Sequence, residues 1–187
     1  MQEGMIDRII RAIRLDPTLY REVADDDSYM NEGIIIVAIV TLLSAFGSGL
    51  GAAISDTGRG FFGAFLWDAV TRVLLGWLLW AVISYFVGNL LGGKSSVTEM
   101  ARTLAYAQAP AFVTVLGFIP CIGWIFVLAG FGLSIAAGVI AIRESMEFDT
   151  MNAVITAGIG ILLYVIASVI ITFVFGGIAL AGSAILR

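Results

Sequence analysis

The sequence predicts an all-α, polytopic integral membrane protein with five transmembrane helices and a short amphipathic cytoplasmic N-terminal segment, and three observations predict it. Of its 187 residues, 60% are hydrophobic and only 13% are charged, against roughly 45 to 50% and about 25% in ordinary globular chains. Mean hydropathy is +1.02. The few Asp, Glu, Lys and Arg residues are spaced so that four long runs contain none of them. The same composition excludes several chemistries. With no histidine and one cysteine, Cys121, the chain lacks imidazole base catalysis, a histidine or thiolate metal cage and an internal disulfide. A net charge of −4 argues against nucleic acid as a partner.

Residues 1–32 form the first unit. Ile6, Ile9, Ile10 and Ile13 recur at helical spacing, with Asp7, Arg8, Arg11 and Arg14 on other faces, which is the pattern of an amphipathic helix. Such a helix lies on lipid, presents its face to a partner, or packs under the bundle; the first two make Ile6, Ile9, Ile10, Ile13, Arg8, Arg11 and Arg14 the candidate contact residues. Asp16-Pro17 marks the start of a second short helix, with Asp as cap and Pro at the first helical position. Asp25-Asp26-Asp27 reads as a solvated turn, since consecutive aspartates lack the alternating ligand spacing of a calcium loop.

Residues 33–187 form the membrane domain. A bilayer core about 30 Å thick needs roughly 20 apolar residues of helix. The uncharged run 33–55 is one span and 73–93 a second. The run 103–142 has 40 uncharged residues, about 60 Å of helix, so it folds back at Gly117-Phe118-Ile119-Pro120-Cys121-Ile122-Gly123 into spans three and four. The run 150–186 holds one span at about 152–175 and an apolar tail. Seven basic residues (Arg8, Arg11, Arg14, Arg21, Lys94, Arg102, Arg143) share one side against Arg59, Arg72 and Arg187. By the positive-inside rule the N-terminus is cytoplasmic and the C-terminus outside, with Trp67 and Trp124 at the outer ends of spans two and four.

Polar groups within the spans are few. Asp68 and Arg72, four residues apart in the first turns of span two, are expected to pair near the membrane boundary. Asn89, Gln108 and Tyr164 are further candidates; Pro110 strains the helix at residue 106, so Tyr106 and Gln108 sit where a kink opens space for a polar pocket. Ser96-Val97-Thr98-Glu99 is a capping box opening the third span. Gly47 with Gly51, Gly88 with Gly92, Gly130 with Ser134 and Gly132 with Ala136 allow close helix approach, within the chain or in a homo-oligomer. Span four, with two such pairs, reads as the central packing helix.

The stretch Glu99-Met100-Ala101-Arg102-Thr103-Leu104-Ala105-Tyr106-Ala107-Gln108-Ala109-Pro110 resembles the Yip family, the Ypt/Rab-interacting membrane proteins, in its prokaryotic form. Leu15-Asp16-Pro17-Thr18-Leu19-Tyr20, Ile119-Pro120-Cys121-Ile122-Gly123 and Ala141-Ile142-Arg143-Glu144-Ser145 extend the likeness over nearly the whole chain. The resemblance implies five spans with a cytoplasmic N-terminus, in the cytoplasmic membrane of a prokaryote. Eukaryotic relatives act in vesicle traffic and bind small GTPases through a longer cytoplasmic N-terminal region than the 32 residues found here.

The functional expectation is a non-enzymatic membrane scaffold or adaptor, without cofactor. It would engage membrane lipids or an unidentified cytoplasmic or membrane protein through residues 1–32 and the loops at Lys94 and Arg143. The alternative is a small-molecule or ion transporter or channel with a pathway near Asp68, Arg72, Asn89 and the Pro110 kink.

Overall fold

The structure, a computed structural model, describes the backbone of residues 4–54, 60–118 and 121–185, and no strand occurs among them. Helices α1 (Met5–Ile13) and α2 (Pro17–Asp25) and a 3-10 turn (Asp27–Tyr29) lead into α3 (Met30–Ile54). Next, α4 (Gly60–Thr71), a π-helical segment (Arg72–Leu79) and α5 (Trp80–Leu90) run on as one helix. Helix α6 (Val97–Tyr106) is followed by a 3-10 segment (Ala109–Phe118), then by α7 (Gly123–Met146) and α8 (Thr150–Ile185).

Local chemistry sets the boundaries. The Asp16 carboxylate accepts from the Thr18 amide at 3.0 Å, with Pro17 opening α2 as predicted. Ser96 Oγ accepts from the Glu99 amide at 3.1 Å and starts α6. Only this half of the capping box forms among the described residues, because the Glu99 carboxylate instead accepts from Ser145 of α7 at 3.3 Å. Gly92, at φ 89°, ends α5 by letting the Gly93 amide reach the Gly88 carbonyl at 3.0 Å, so it is a helix cap and not a packing partner of Gly88. Helix α6 stops at Tyr106, the residue whose carbonyl a regular helix would bond to the N–H that Pro110 lacks.

Among the described residues, four helical stretches are long and apolar enough to cross a membrane: Asp27–Leu50, Gly60–Leu90, Gly123–Met146 and Thr150–Ile171. The first agrees with the predicted 33–55. The second begins at Gly60 rather than 73, because Asp68 and Arg72 neutralise each other within it and the helix continues through a pair that a charge-free criterion treats as a break. The expected third span is a broken element, α6 plus the 3-10 segment. The fold-back expected at 117–123 puts Gly123 at the start of α7, while Ile119 and Pro120 lie outside the described residues, as do Arg59 and Arg187. The apolar tail continues α8 as helix through Gly176-Gly177.

Helix α7 packs against α1, α2, α5, α6, α8 and the 3-10 segment, as expected of a central packing helix, but the most completely buried helix is α6. Every residue from Met100 to Tyr106 is buried, with α2, α3, α5 and α7 packed around it, whereas α7 turns Trp124, Leu128 and Phe131 outward. Helix α7 contributes two close approaches. Gly130 meets Thr114 and the Pro110 carbonyl, and Gly138 admits the Trp80 indole. Gly88 makes room for Met146. Gly47 and Gly132 face open space and serve no such contact among the described residues. The Lys94 amide bonds the Met146 carbonyl at 3.1 Å and Ser95 Oγ lies 2.7 Å from Ser145 Oγ, so α6 starts beside the end of α7. With Thr114 beside Gly130 further along, α6 and its 3-10 continuation run antiparallel to α7.

Candidate functional site

The N-terminal helices are built into the same core as the membrane domain. Ala12, Leu19, Tyr20 and Val23 are buried in one cluster with Ile36, Met100, Leu104, Tyr106 and Ile142. The isoleucine stripe of α1 is therefore split. Ile9 and Ile13 pack against the core, while Ile6 is 70% and Ile10 42% exposed. Two of the arginines are committed to neighbours. Arg8 grips Glu32 at the head of α3 with two hydrogen bonds, Nε to Oε1 at 2.9 Å and Nη2 to Oε2 at 2.5 Å, and lies 5.2 Å from the centre of the Tyr29 ring. This bidentate pair raises the Arg8 pKa above its ordinary value. Arg11 ties Asp16 at 2.7 Å and Glu22 at 2.9 Å, folding α1 onto α2, and with Thr18 holds the Asp16 carboxyl below its usual range. Burial pushes the Tyr20 phenol up. Arg14 is exposed.

Arg102 fastens this unit to the centre of the fold. Its side chain is 3% exposed. Nε donates to the Val23 carbonyl and Nη2 to the Ala24 carbonyl, both at 2.6 Å, and Nη1 pairs with Asp27. The guanidinium thus satisfies two C-terminal carbonyls of α2 at the negative end of its dipole. Arg21 adds a second tie, donating to the Glu144 carbonyl at 3.2 Å and pairing with Glu147 at 3.0 Å. The aspartate run is a turn with three tasks: Asp25 pairs with Arg21, Asp26 accepts from the Ser28 amide, and Asp27 pairs with Arg102. Nothing in the sequence marks Arg102 for this role, since its carbonyl partners lie 78 and 79 residues away.

The polar candidates of the bundle separate into three places. Asn89 is exposed at the last turn of α5. Tyr106 is fully buried and meets Tyr29 edge-on at 6.3 Å, with its hydroxyl near Glu32 and Arg8 but in no well-formed hydrogen bond among the described residues. Arg72 and Gln108 come together, lining a cavity of about 40 Å³ with Thr41, Gly76 and Trp77. The break at Pro110 and the wide turns of the π segment meet there. Gln108 Nε2 donates to the Gly76 carbonyl at 3.4 Å and Trp77 Nε1 to the Ala101 carbonyl at 2.8 Å.

Asp68 and Arg72 pair at 2.7 Å, as expected. The helix Gly60–Leu90 has 31 residues, about 46 Å at 1.5 Å per residue. Arg72 lies about 18 Å from its start on that rise. A core about 30 Å thick that lies within this helix begins no more than about 16 Å from Gly60, which leaves Arg72 between about 2 and 18 Å inside it, a range that includes the predicted boundary position. Trp67, expected at the membrane edge, lies about 10 Å along the helix, within the range open to that edge.

The family model of the Yip1 domain matches residues 15–172. The chain belongs to the Yip1 domain family. No curated protein and no solved structure matches it. The matched part of this Yip1 domain holds Asp27, Arg102, Arg72, Gln108 and Pro110, hence both the clamp on α2 and the polar cavity. It begins at Leu15, so α1, with the exposed Ile6 and Ile10, stands outside it. The domain is that of a multi-pass membrane protein, with four described helices fit to cross a bilayer.

Proposed function

We propose that this Yip1 domain protein is a non-enzymatic membrane scaffold or adaptor with five membrane segments, the third being the broken α6 and 3-10 element. Its N-terminus is cytoplasmic and its C-terminus outside, in a prokaryotic cytoplasmic membrane. It engages a lipid surface or a protein partner through residues 1–32, with α1 as the contact helix, and through the loops at Lys94 and Arg143. The observation that carries the reading is the divided face of α1. One side is anchored by Ile9, Ala12 and Ile13, and Arg8 is locked to Glu32. Ile6 and Ile10 are left exposed on a helix that cannot turn them inward. A rigidly held apolar pair loses little entropy when covered. Antiparallel packing of residues 97–118 along α7 supports the fifth crossing.

The test is in-membrane crosslinking and co-purification of the full chain beside the Ile6→Ser/Ile10→Ser variant, with protein and lipid identified. Loss of a partner or of lipid enrichment in the variant is expected. An unchanged set of partners and lipids, with the variant folded, overturns the reading.

A further inference from the structure

The cavity beside the π segment lies outside the surface just described and has its own chemistry. Of its polar groups, Arg72 gives its Nε to Asp68, and its two Nη groups make no hydrogen bond among the described residues. Thr41 is 6% exposed, and its hydroxyl likewise makes none among the described residues. Gln108 spends one amide hydrogen on the Gly76 carbonyl and keeps the other. The indole N–H of Trp77 is already taken by Ala101, and Asp68 does not line the space. The cavity is therefore lined by Arg72, whose side chain is 46% exposed at its mouth, by a set of unused donors, and by Val37 and Val40. At about 40 Å³ the space exceeds the roughly 10–15 Å³ that one water requires on this measure.

We propose that this cavity is an oxyanion site in which the Arg72 fork takes a phosphate or carboxylate oxygen, with Thr41 and Gln108 as further donors. A guanidinium fork matches two oxygens of such a group, and a membrane interior strengthens the bond by excluding competing water. The oxygen comes from an anionic lipid headgroup or from a small free anion. Asp68 is the internal competitor: it holds Nε in place and offsets part of the charge, so a ligand has to outbid it only at the Nη groups. The π segment contributes shape. Gly76, where a Cβ would meet nothing within 4 Å, leaves the wall bare beside Arg72, one turn on along the same segment.

The test uses the full chain in phosphatidylcholine nanodiscs, with and without phosphatidylglycerol, and separately titrated with inorganic phosphate. Thermal midpoint and retained lipid by native mass spectrometry are the readouts. Stabilisation by phosphate in pure phosphatidylcholine assigns a free anion; stabilisation by phosphatidylglycerol alone assigns a headgroup. In either case Arg72→Gln weakens the apparent affinity at least tenfold. Gly76→Ala, which adds a methyl into open space, weakens it severalfold without lowering the ligand-free midpoint. Asp68→Asn acts in the opposite direction and tightens binding severalfold. No stabilisation by either probe, or stabilisation that survives Arg72→Gln unchanged, overturns the proposal.

Discussion

Replacing Arg102 by Gln tests how the N-terminal helices are held. The substitution leaves the Val23 and Ala24 carbonyls of α2 without their donors, at residues that are 0% and 5% exposed. An unsatisfied buried carbonyl costs about 1–3 kcal/mol, so the pair sets a range of about 2–6 kcal/mol. Fraying of the last turn of α2 lets water reach them and favours the lower end, about 2 kcal/mol, or roughly thirtyfold in a local opening equilibrium. The other partner behaves differently. Asp27 is 96% exposed; an Asn there still offers Nη1 an oxygen or leaves it to water, and the guanidinium keeps both carbonyls, so Asp27→Asn costs under about 1 kcal/mol. Hydrogen exchange of the amides in residues 16–26 of the full chain in detergent reads this directly. Arg102→Gln accelerates exchange there by about thirtyfold, with α7 and α8 unchanged, and Asp27→Asn by less than about fivefold. Equal effects of the two substitutions, or no effect of Arg102→Gln, would refute the assignment of the carbonyls as the main anchor.

Other predictions follow from the same packing. Gly138→Ala drives a methyl into the Trp80 indole and lowers stability by about 1–3 kcal/mol, whereas Gly132→Ala, facing open space, is neutral or stabilising by up to about 1 kcal/mol; thermal melts of the two variants should therefore move apart. The Asp16 carboxyl is depressed by Arg11 and Thr18. Its contribution to the α1–α2 unit is thus complete above the unfolded value near 3.8 and fades as pH falls through the lower folded value, which exchange in residues 5–25 measured between pH 5 and 2 should show as a loss that Asp16→Asn abolishes. Arg8→Ala leaves the half-buried Glu32 carboxylate without its bidentate partner. It frees α1 from α3 while α2 stays docked, detectable as proteolysis confined to the first 14 residues.

Much of this organisation is legible in the sequence. Isoleucine spacing marks α1, Asp16-Pro17 marks α2, and uncharged runs locate α3, α7 and α8, because each depends on a local periodicity or a solvent preference. Pro110 announces the end of α6 at Tyr106, a local steric consequence. Legibility fails where charges are cancelled by partners. Asp68 and Arg72 neutralise each other, so the second membrane helix begins 13 residues earlier than an uncharged run allows. Arg102 looks like a boundary residue because its acceptors are backbone carbonyls on α2, which no side-chain pattern reveals. The α1 arginines look like lipid anchors, yet Arg8 and Arg11 face Glu32, Asp16 and Glu22. Glycine spacing also overcounts contacts, since Gly47 and Gly132 meet nothing among the described residues and Gly92 serves a turn.

The central claim is that residues 97–118, though broken at Pro110, cross the bilayer as the third of five segments. Cys121, the single native thiol, is exposed at the far end of that element, and a cysteine at Thr18 in a Cys121→Ser chain reports the α2 side. Labelling of each with a membrane-impermeant maleimide, in intact cells and after permeabilisation, decides the matter: the account predicts that Cys121 labels in intact cells and the Thr18 position only after permeabilisation, and labelling of both from the same side would contradict it.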